Sequence, residues 1–270
     1  MESAEFNDKM SRPADATQVG YDAEYTGFNW SAPAFATRQG SNRLTEFFDS
    51  RTSGHGVWKW RHYFDIYDRH FSRFRGQEVH IVEIGIYSGG SLDMWRDYFG
   101  PKAHIYGVDI QPSCKSYESE NIKVFIGNQG DRNFWKSFRE AVPRVDIVID
   151  DGSHNPIHQA ITLEEMLPHV SPGGVFLCED VAGSARHEVN PAASYFHGLA
   201  HKLNDVAQPT RTPANKERAS AFQASEFQQA VGSIHLYPFI CVVERNETPA
   251  KEFYSQMHGT IWQPFLRANP

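Results

Sequence analysis

The stretch VHIVEIGIYSGGS, residues 79–91, decides the fold. It begins as a β-branched apolar run carrying one acid, Glu83. It then breaks into a turn holding Gly85, Gly89 and Gly90, and the residues after it, LDMWRDYF, read as a helix. A buried strand running through a glycine-rich turn into a helix is the opening unit of a βαβ fold. Further apolar runs follow: AHIYGVDI (103–110), NIKVFIG (121–127), VDIVIDDG (145–152) and PGGVFLCEDV (172–181). Between them DRNFWKSFREAV (131–142) and NPIHQAITLEEMLPHV (155–170) have helical texture, with Asp131 and Asn155 placed as N-caps and Pro156 at the first helical position. Near-continuous Val/Ile strands alternating with helices predict a buried parallel sheet. SIHLYPFICVVER (233–245) gives two short apolar runs split at Pro238, expected as an antiparallel hairpin at the sheet edge.

Outside this region the texture changes. Residues 1–40 mix Pro, Gly, Ala, Ser and charges without a period and read as an extended arm, with a lid or a strap on a partner subunit as the alternative. SNRLTEFFDS (41–50) predicts a short helix. In residues 57–75 the aromatics Trp60, Tyr63, Phe64, Tyr67, Phe71 and Phe74 fall at gaps of three and four or their sums, which predicts one amphipathic helix burying its stripe on the sheet. The stretch from 183 to about 230 reads as polar and helical. The resulting division is a leader over 1–55, a central domain over 56–245 and a tail over 246–270.

Composition bounds the function. Hydrophobic residues make up 40% and charged residues 22%, enough apolar material for a globular core, which excludes disorder of the whole chain. A net charge of −7 argues against a general binder of phosphate backbones. No apolar run of membrane-spanning length occurs, and the polar first residues lack the h-region of a secretory signal. Three widely spaced cysteines, Cys114, Cys178 and Cys241, suit a reducing cytoplasm.

The turn after the first strand places a ligand at a helix N-terminus. Tyr87 stands where a dinucleotide fold wants its second glycine, and a tyrosine there crowds a pyrophosphate. The next strand ends at Asp109, 24 residues after Gly85, where an acid suits two ribose hydroxyls. Ribose without pyrophosphate points to S-adenosylmethionine (SAM), with Glu83 attracting its cationic end. Capping of the next turn is the plainer reading of Asp109. The fourth strand ends Asp150-Asp151-Gly152-Ser153-His154 and the fifth ends Glu179-Asp180, so a single crossover brings both acid pairs to the carboxyl edge of the sheet. Crowded carboxylates call for a hard cation such as Mg²⁺, with Asp151, Glu179 and Asp180 as its ligands. Asp150, pointing the other way, is expected to face the cofactor. His154, an imidazole that exchanges protons near neutral pH, is the expected general base for a substrate hydroxyl. Asp150 or His154 taken singly also reads as an ordinary strand-end or surface residue.

Taken in order, EIGIYSGGSLDMW, YGVDI, GNQGD, VIDDGSH and GGVFLCEDV resemble class I SAM-dependent methyltransferases, in particular the metal-dependent macrolide-sugar O-methyltransferases and the related cephalosporin-hydroxylase-like group. The resemblance covers roughly residues 55–182. It implies a Rossmann-like fold with a mostly parallel seven-stranded sheet, an antiparallel edge hairpin and an N-terminal helical extension. It implies cofactor contacts from Glu83, Gly85, Tyr87, Ser91, Asp109, Ile110, Gln129, Asp131 and Asp150, Mg²⁺ on Asp151, Glu179 and Asp180, and His154 with Asp151 as the catalytic pair. Where that family often has an acid, GNQGD has Asn128. The expected activity is methyl transfer from SAM to a hydroxyl of a small molecule, a sugar or glycosylated natural product, with no nucleic-acid or membrane partner and with homo-oligomerisation open. Two rivals remain at this stage: an NAD-dependent sugar or alcohol oxidoreductase, against which Tyr87 counts, and a non-catalytic SAM-fold binding subunit.

Overall fold

A computed structural model describes residues 41–181, 191–205, 218–256 and 258. The expectations for residues 1–40, 182–190 and 206–217, and for the last residues of the tail, lie outside it.

The helices and strands run α1 (Arg43–Ser50), α2 (Tyr63–Phe71), β1 (His80–Ile84), α3 (Gly90–Phe99), β2 (His104–Asp109), β3 (Ile122–Ile126), α4 (Arg132–Ala141), β4 (Val145–Asp150), α5 (Pro156–Met166), β5 (Val170–Cys178), α6 (Pro191–Leu203), β6 (Arg218–Gln223), α7 (Glu226–Ala230), β7 (Val231–Tyr237), β8 (Ile240–Arg245) and β9 (Glu252–Gln256). A seven-stranded sheet has the order β3-β2-β1-β4-β5-β8-β7. β1 to β5 are parallel, and β8 joins β5 antiparallel with β7 outside it. This is the expected α/β sheet with its edge hairpin, and the hairpin turns at Pro238-Phe239. The strand order reverses between β1 and β4, the switch point at which open α/β sheets bind ligands.

Alternation along the strands feeds two cores. Ile81, Ile105, Ile147, Ile149, Val175, Leu177 and Val242 face α1, α2 and α3 with Trp95 and Phe99. Val82, Val108, Val148, Phe176 and Val243 face α4, α5 and α6 with Trp135, Phe138, Met166 and Phe196. Every residue of β4 is buried, as a central strand covered on both faces requires. Asp131 accepts a hydrogen bond from Asn133 N, and Asn155 from Ile157 and His158 N, so both expected N-caps are present. Among the described residues no helix is long and apolar enough to cross a membrane.

Two expectations need correction. The periodic stretch 57–75 is not one helix. α2 starts only at Tyr63 and gives way at Ser72 to a 3₁₀ turn that holds Phe74. Residues 57–60 are irregular because their side chains are pulled apart: Lys59 is buried, whereas Trp58 is 85% and Trp60 55% exposed. Lys59 Nζ instead reaches Asp151 and Glu179 at the carboxyl edge of the sheet. The stretch after 183 is also not wholly helical, since β6 pairs antiparallel with β9 in a separate ribbon. Tail residues 252–256 thereby acquire a partner.

Glu244 of β8 ties α2 to the hairpin. It accepts from His70 Nδ1 (3.0 Å) and Arg73 (3.1 Å) on one oxygen and from Ser233 Oγ (3.0 Å) on the other. The His70 hydrogen bond, with those of Arg73 and Ser233, holds its carboxyl well below the usual range. A depressed carboxyl stabilises the fold above its ordinary pKa of about 4.3, and that contribution is lost as pH falls through and below that value. Glu244→Gln is therefore expected to cost about 1 kcal/mol at neutral pH, discounted for partial solvent exposure. The difference between variant and wild type in urea midpoint should shrink on going from pH 7 to pH 3.

Candidate active site

Strand register assembles the site. Ile84 of β1 pairs with Asp150 of β4, and Asp150 with Cys178 of β5. The ladder continues one step past the strands: Asp151 N–H donates to Ile84 O (3.0 Å) and Glu179 N–H to Asp150 O (2.8 Å). Gly85, Asp151 and Glu179 thus stand side by side at the carboxyl edge. A cleft of about 1020 Å³ opens outside them. The turn Gly85–Ser88 with Ser91 and Asp109 forms one end of it, Asp151, His154, Glu179 and Asp180 the other, and the arm Gly56–Trp60 a side wall, with Phe239 at the rim.

Backbone strain concentrates here. Among the described residues, the non-glycine positions with positive φ are Tyr87 (43°), His154 (52°), Asp180 (50°) and Phe239 (66°). All four line the cleft. Strained non-glycine residues persist only where the surroundings over-determine them, and they cluster at functional sites.

The acid cluster is divided into inner and outer oxygens. Asp151 Oδ2 accepts from Lys59 Nζ (2.5 Å), and both Glu179 oxygens accept from the same ammonium (2.9 and 3.1 Å). Tyr67 OH also donates to Glu179 (2.6 Å). Asp180 Oδ1 accepts from Tyr63 OH (2.6 Å) and Trp60 Nε1 (3.1 Å). These bonds leave Asp151 Oδ1 and Asp180 Oδ2 turned toward His154, whose Nε2 lies 4.0 Å from the first and 3.6 Å from the second. Burial pushes the Lys59 ammonium down, but Glu179, Asp151 and Glu83 together outweigh it and hold Lys59 well above its ordinary value. Burial and Asp151 push the Glu179 carboxyl up. One ammonium among three carboxylates leaves surplus negative charge, the condition in which a site accepts a second cation. Asp151, His154 and Asp180 offer ligand atoms within 4.8 Å of one another. Carboxylate oxygens with one imidazole and no thiol fit a hard divalent ion.

The structure divides the predicted cofactor residues. Gly85, Tyr87, Ser91 and Asp109 line the cleft. Asp109 accepts from Ile86 N (3.1 Å) and Tyr87 N (3.2 Å) on one oxygen and from Gln111 N (2.9 Å) on the other. It both orders the glycine turn and caps its own, and a carboxylate with about four acceptor positions keeps capacity for a ribose hydroxyl. Glu83, Asp150 and Gln129 lie underneath instead. Glu83 is fully buried, accepts from Ser91 Oγ (2.6 Å) and stands 3.4 Å from Lys59. Asp150 is fully buried against Gln129 Nε2 (2.9 Å) and Gly152 N (3.2 Å), and burial raises its carboxyl to about 6. Gln129 in turn accepts from Ser153 N (2.6 Å), so the pair shapes the Asp-Asp-Gly-Ser-His turn from below. Asp131 is occupied capping α4, and Ile110 is 62% exposed beside the cleft mouth.

Sequence reading missed Lys59, Trp60, Tyr63 and Tyr67. The aromatic stripe of α2 does bury on the sheet as expected, yet its two tyrosines also present hydroxyls to Glu179 and Asp180. The available signal was a lone lysine between two tryptophans immediately before an apolar stripe. A charge so placed either snorkels to water or needs buried partners.

Residues 82–181 match the family model described as a methyltransferase domain. The strand order, with the cleft at its switch point, is that of the Rossmann-like class, and residues 82–181 within it are similar to methyltransferase domains. Among named relatives, it is 33% identical over 195 residues to mycinamicin VI 2''-O-methyltransferase of Micromonospora griseorubida, covering 66% of this chain and 47% of that one. It is 29% identical over 208 residues to 8-demethyl-8-alpha-L-rhamnosyl tetracenomycin-C 2'-O-methyltransferase of Streptomyces olivaceus, covering 71% and 52%. The structure of MycE methyltransferase from the mycinamycin biosynthetic pathway, in complex with Mg and SAH, superposes with a TM-score of 0.59 at 27% identity, covering 75% of this chain and 53% of that chain. The chain spans about half the length of the relatives it matches.

Proposed function

We propose that the protein is a SAM-dependent, divalent-metal-assisted O-methyltransferase whose acceptor is a hydroxyl on a sugar or glycosylated small molecule. One observation carries the reading: the outer oxygens of Asp151 and Asp180 converge on His154 in the cleft that the glycine turn and Asp109 also line. The sugar O-methyltransferases among its relatives, and the MycE structure with Mg and SAH, support the substrate class and both cofactors. We also place the protein in the cytoplasm, since its three widely spaced cysteines suit a reducing compartment.

When bound, SAM supplies an electrophilic methyl group, and a divalent ion supplies a positive charge that lowers the pKa of the acceptor hydroxyl. The chain's own residues do the rest. Asp151, Asp180 and Glu179 would hold the ion. Asp109 would orient the ribose. His154 Nε2 would take the proton of the acceptor hydroxyl. Tyr63 holds Asp180 and Tyr67 holds Glu179 from behind, so that these acids need little rearrangement at reaction.

The test is Asp151→Asn. Mn²⁺, used as a spectroscopic probe, should bind at least ~10-fold more weakly, and activity should fall and be partly restored by raised Mg²⁺. Unchanged Mn²⁺ affinity, or no rescue at any Mg²⁺ concentration, would exclude Asp151 as a ligand.

A further inference from the structure

Lys59 has no part in the methyl transfer itself, yet its ammonium is a buried positive charge set among the acids of the cleft. Its side chain is 3% exposed. It spends its hydrogen bonds on both oxygens of Glu179 (2.9 and 3.1 Å) and on Asp151 Oδ2 (2.5 Å), and stands 3.4 Å from Glu83. An ammonium has three N–H donors, and all are used on two of the acids read as metal ligands. We infer that Lys59 is a built-in competitor for the divalent ion, so that metal loading of the acid cluster releases this ammonium and with it the arm of residues 56–60.

The inference rests on the ion-binding reading above and follows from oxygen accounting. Glu179 has no oxygen free of Lys59. Asp151 has one free oxygen, Oδ1, and Asp180 one, Oδ2. An ion held by Asp151, Glu179 and Asp180 must therefore share a Glu179 oxygen with Lys59. Two cations sharing one buried carboxylate pair repel strongly, since water does not screen them there. The smaller, doubly charged ion displaces the ammonium, and a flexible four-carbon stem lets it leave.

What leaves with it is set by how the arm is anchored. At its start the arm crosses the N-terminus of α3, where Gly90 permits the approach: a Cβ there would lie 2.3 Å from Gly56 O. At its end His62 Nε2 donates to Pro238 O (3.1 Å). Between these points Trp58 is almost fully exposed, Val57 packs on the core, and the side-chain hydrogen bonds are those of Lys59, the Trp60–Asp180 contact and the Arg61–Asp49 pair. Freeing Lys59 removes the one anchor of this wall that reaches the acids Asp151 and Glu179, leaving Val57, Trp60 and Arg61 to hold it. Metal binding and access to the cleft thus become coupled through one side chain.

The experiment compares the full-length wild type with Lys59→Met and Asp151→Asn, using Mn²⁺ as the probe. Free Mn²⁺ is read by electron paramagnetic resonance, and amide hydrogen exchange of residues 57–61 is read with and without saturating Mn²⁺. The expected result is that Lys59→Met binds Mn²⁺ about tenfold or more tightly than wild type, because the competing cation is gone. In the wild type Mn²⁺ should accelerate exchange over 57–61. In Lys59→Met the same amides should exchange fast in both conditions. Equal or weaker Mn²⁺ binding by Lys59→Met overturns the competition while leaving the ion site standing. Should that variant fail to fold, the wild-type exchange still decides, and exchange over 57–61 unmoved by bound Mn²⁺ overturns the inference. A wild type that binds no Mn²⁺, or binds it no better than Asp151→Asn, overturns the ion site as well.

Discussion

Replacing His154 by alanine is expected to lower turnover by about 10²–10⁴-fold while leaving SAM affinity nearly unchanged. His154 lines the cleft in a strained backbone conformation. Its φ is 52°, a strained value for a residue with a Cβ, and the side chain is 44% exposed at the cleft. Its Nε2 faces Asp180 Oδ2 at 3.6 Å and Asp151 Oδ1 at 4.0 Å, beyond hydrogen-bond reach of both. The imidazole is thus aimed at the acids without being bound by them, as a proton acceptor for an intervening hydroxyl should be. The same placement also lets His154 ligate the ion, and the two roles differ in what else the substitution changes. A general base leaves Mn²⁺ affinity in place while kcat falls; a ligand takes Mn²⁺ affinity down with it. His154→Asn separates backbone from chemistry, because asparagine tolerates positive φ better than alanine. Both variants should lose turnover alike. A loss below about tenfold in both would remove His154 from the role of base.

How much of this site was legible in the sequence depends on how local each residue's task is. Asp131, Asn155 and the strand-ending acids were readable because caps and βα turns act within a few residues of themselves. The crossover rule then placed Asp151 beside Glu179 without further information. The orientation of Asp150 was not legible. Alternation along a strand says that Asp150 and Asp151 diverge, but it does not say that the space beneath Asp150 is filled by Gln129 rather than by a ligand. Lys59 was invisible for a different reason. The three- and four-residue spacing of residues 60–74 fits a helix, yet helix periodicity carries no term for a carboxylate cluster that lies 92 to 120 residues away in sequence. A long-range ion pair overrode the local pattern, holding 57–60 out of the helix and delivering the ammonium to the acids. The hydroxyls of Tyr63 and Tyr67 were hidden likewise, since a stripe reports which face is buried and not what its polar tips meet.

Gly85 shows a third case, in which the residue was read correctly as special but for an incomplete reason. The sequence assigns it to close approach of a cofactor to the backbone. In the structure its φ is 83°, and a Cβ would lie 2.0 Å from the carbonyl oxygen of Asp151 and 2.8 Å from Gly152 Cα. The atoms met are backbone, not the movable end of a side chain, so β1 and β4 cannot both keep their places. Gly85→Ala is expected to destabilise by about 3–5 kcal/mol, combining left-handed strain with overpacking against a rigid neighbour. For a chain of this size that is a fall in Tm of roughly 6–20 °C. Gly76→Ala is the internal control, because Gly76 has φ of 73° with nothing within 4 Å of its added Cβ. It carries the backbone cost alone, about 1–2 kcal/mol. The surplus of Gly85→Ala over Gly76→Ala, read by chemical denaturation, measures the contact with Asp151. Because that contact sits directly behind a proposed metal ligand, the folded fraction of Gly85→Ala should also bind Mn²⁺ more weakly than wild type. Equal costs for the two substitutions would mean that the β1 tip does not fix the position of Asp151.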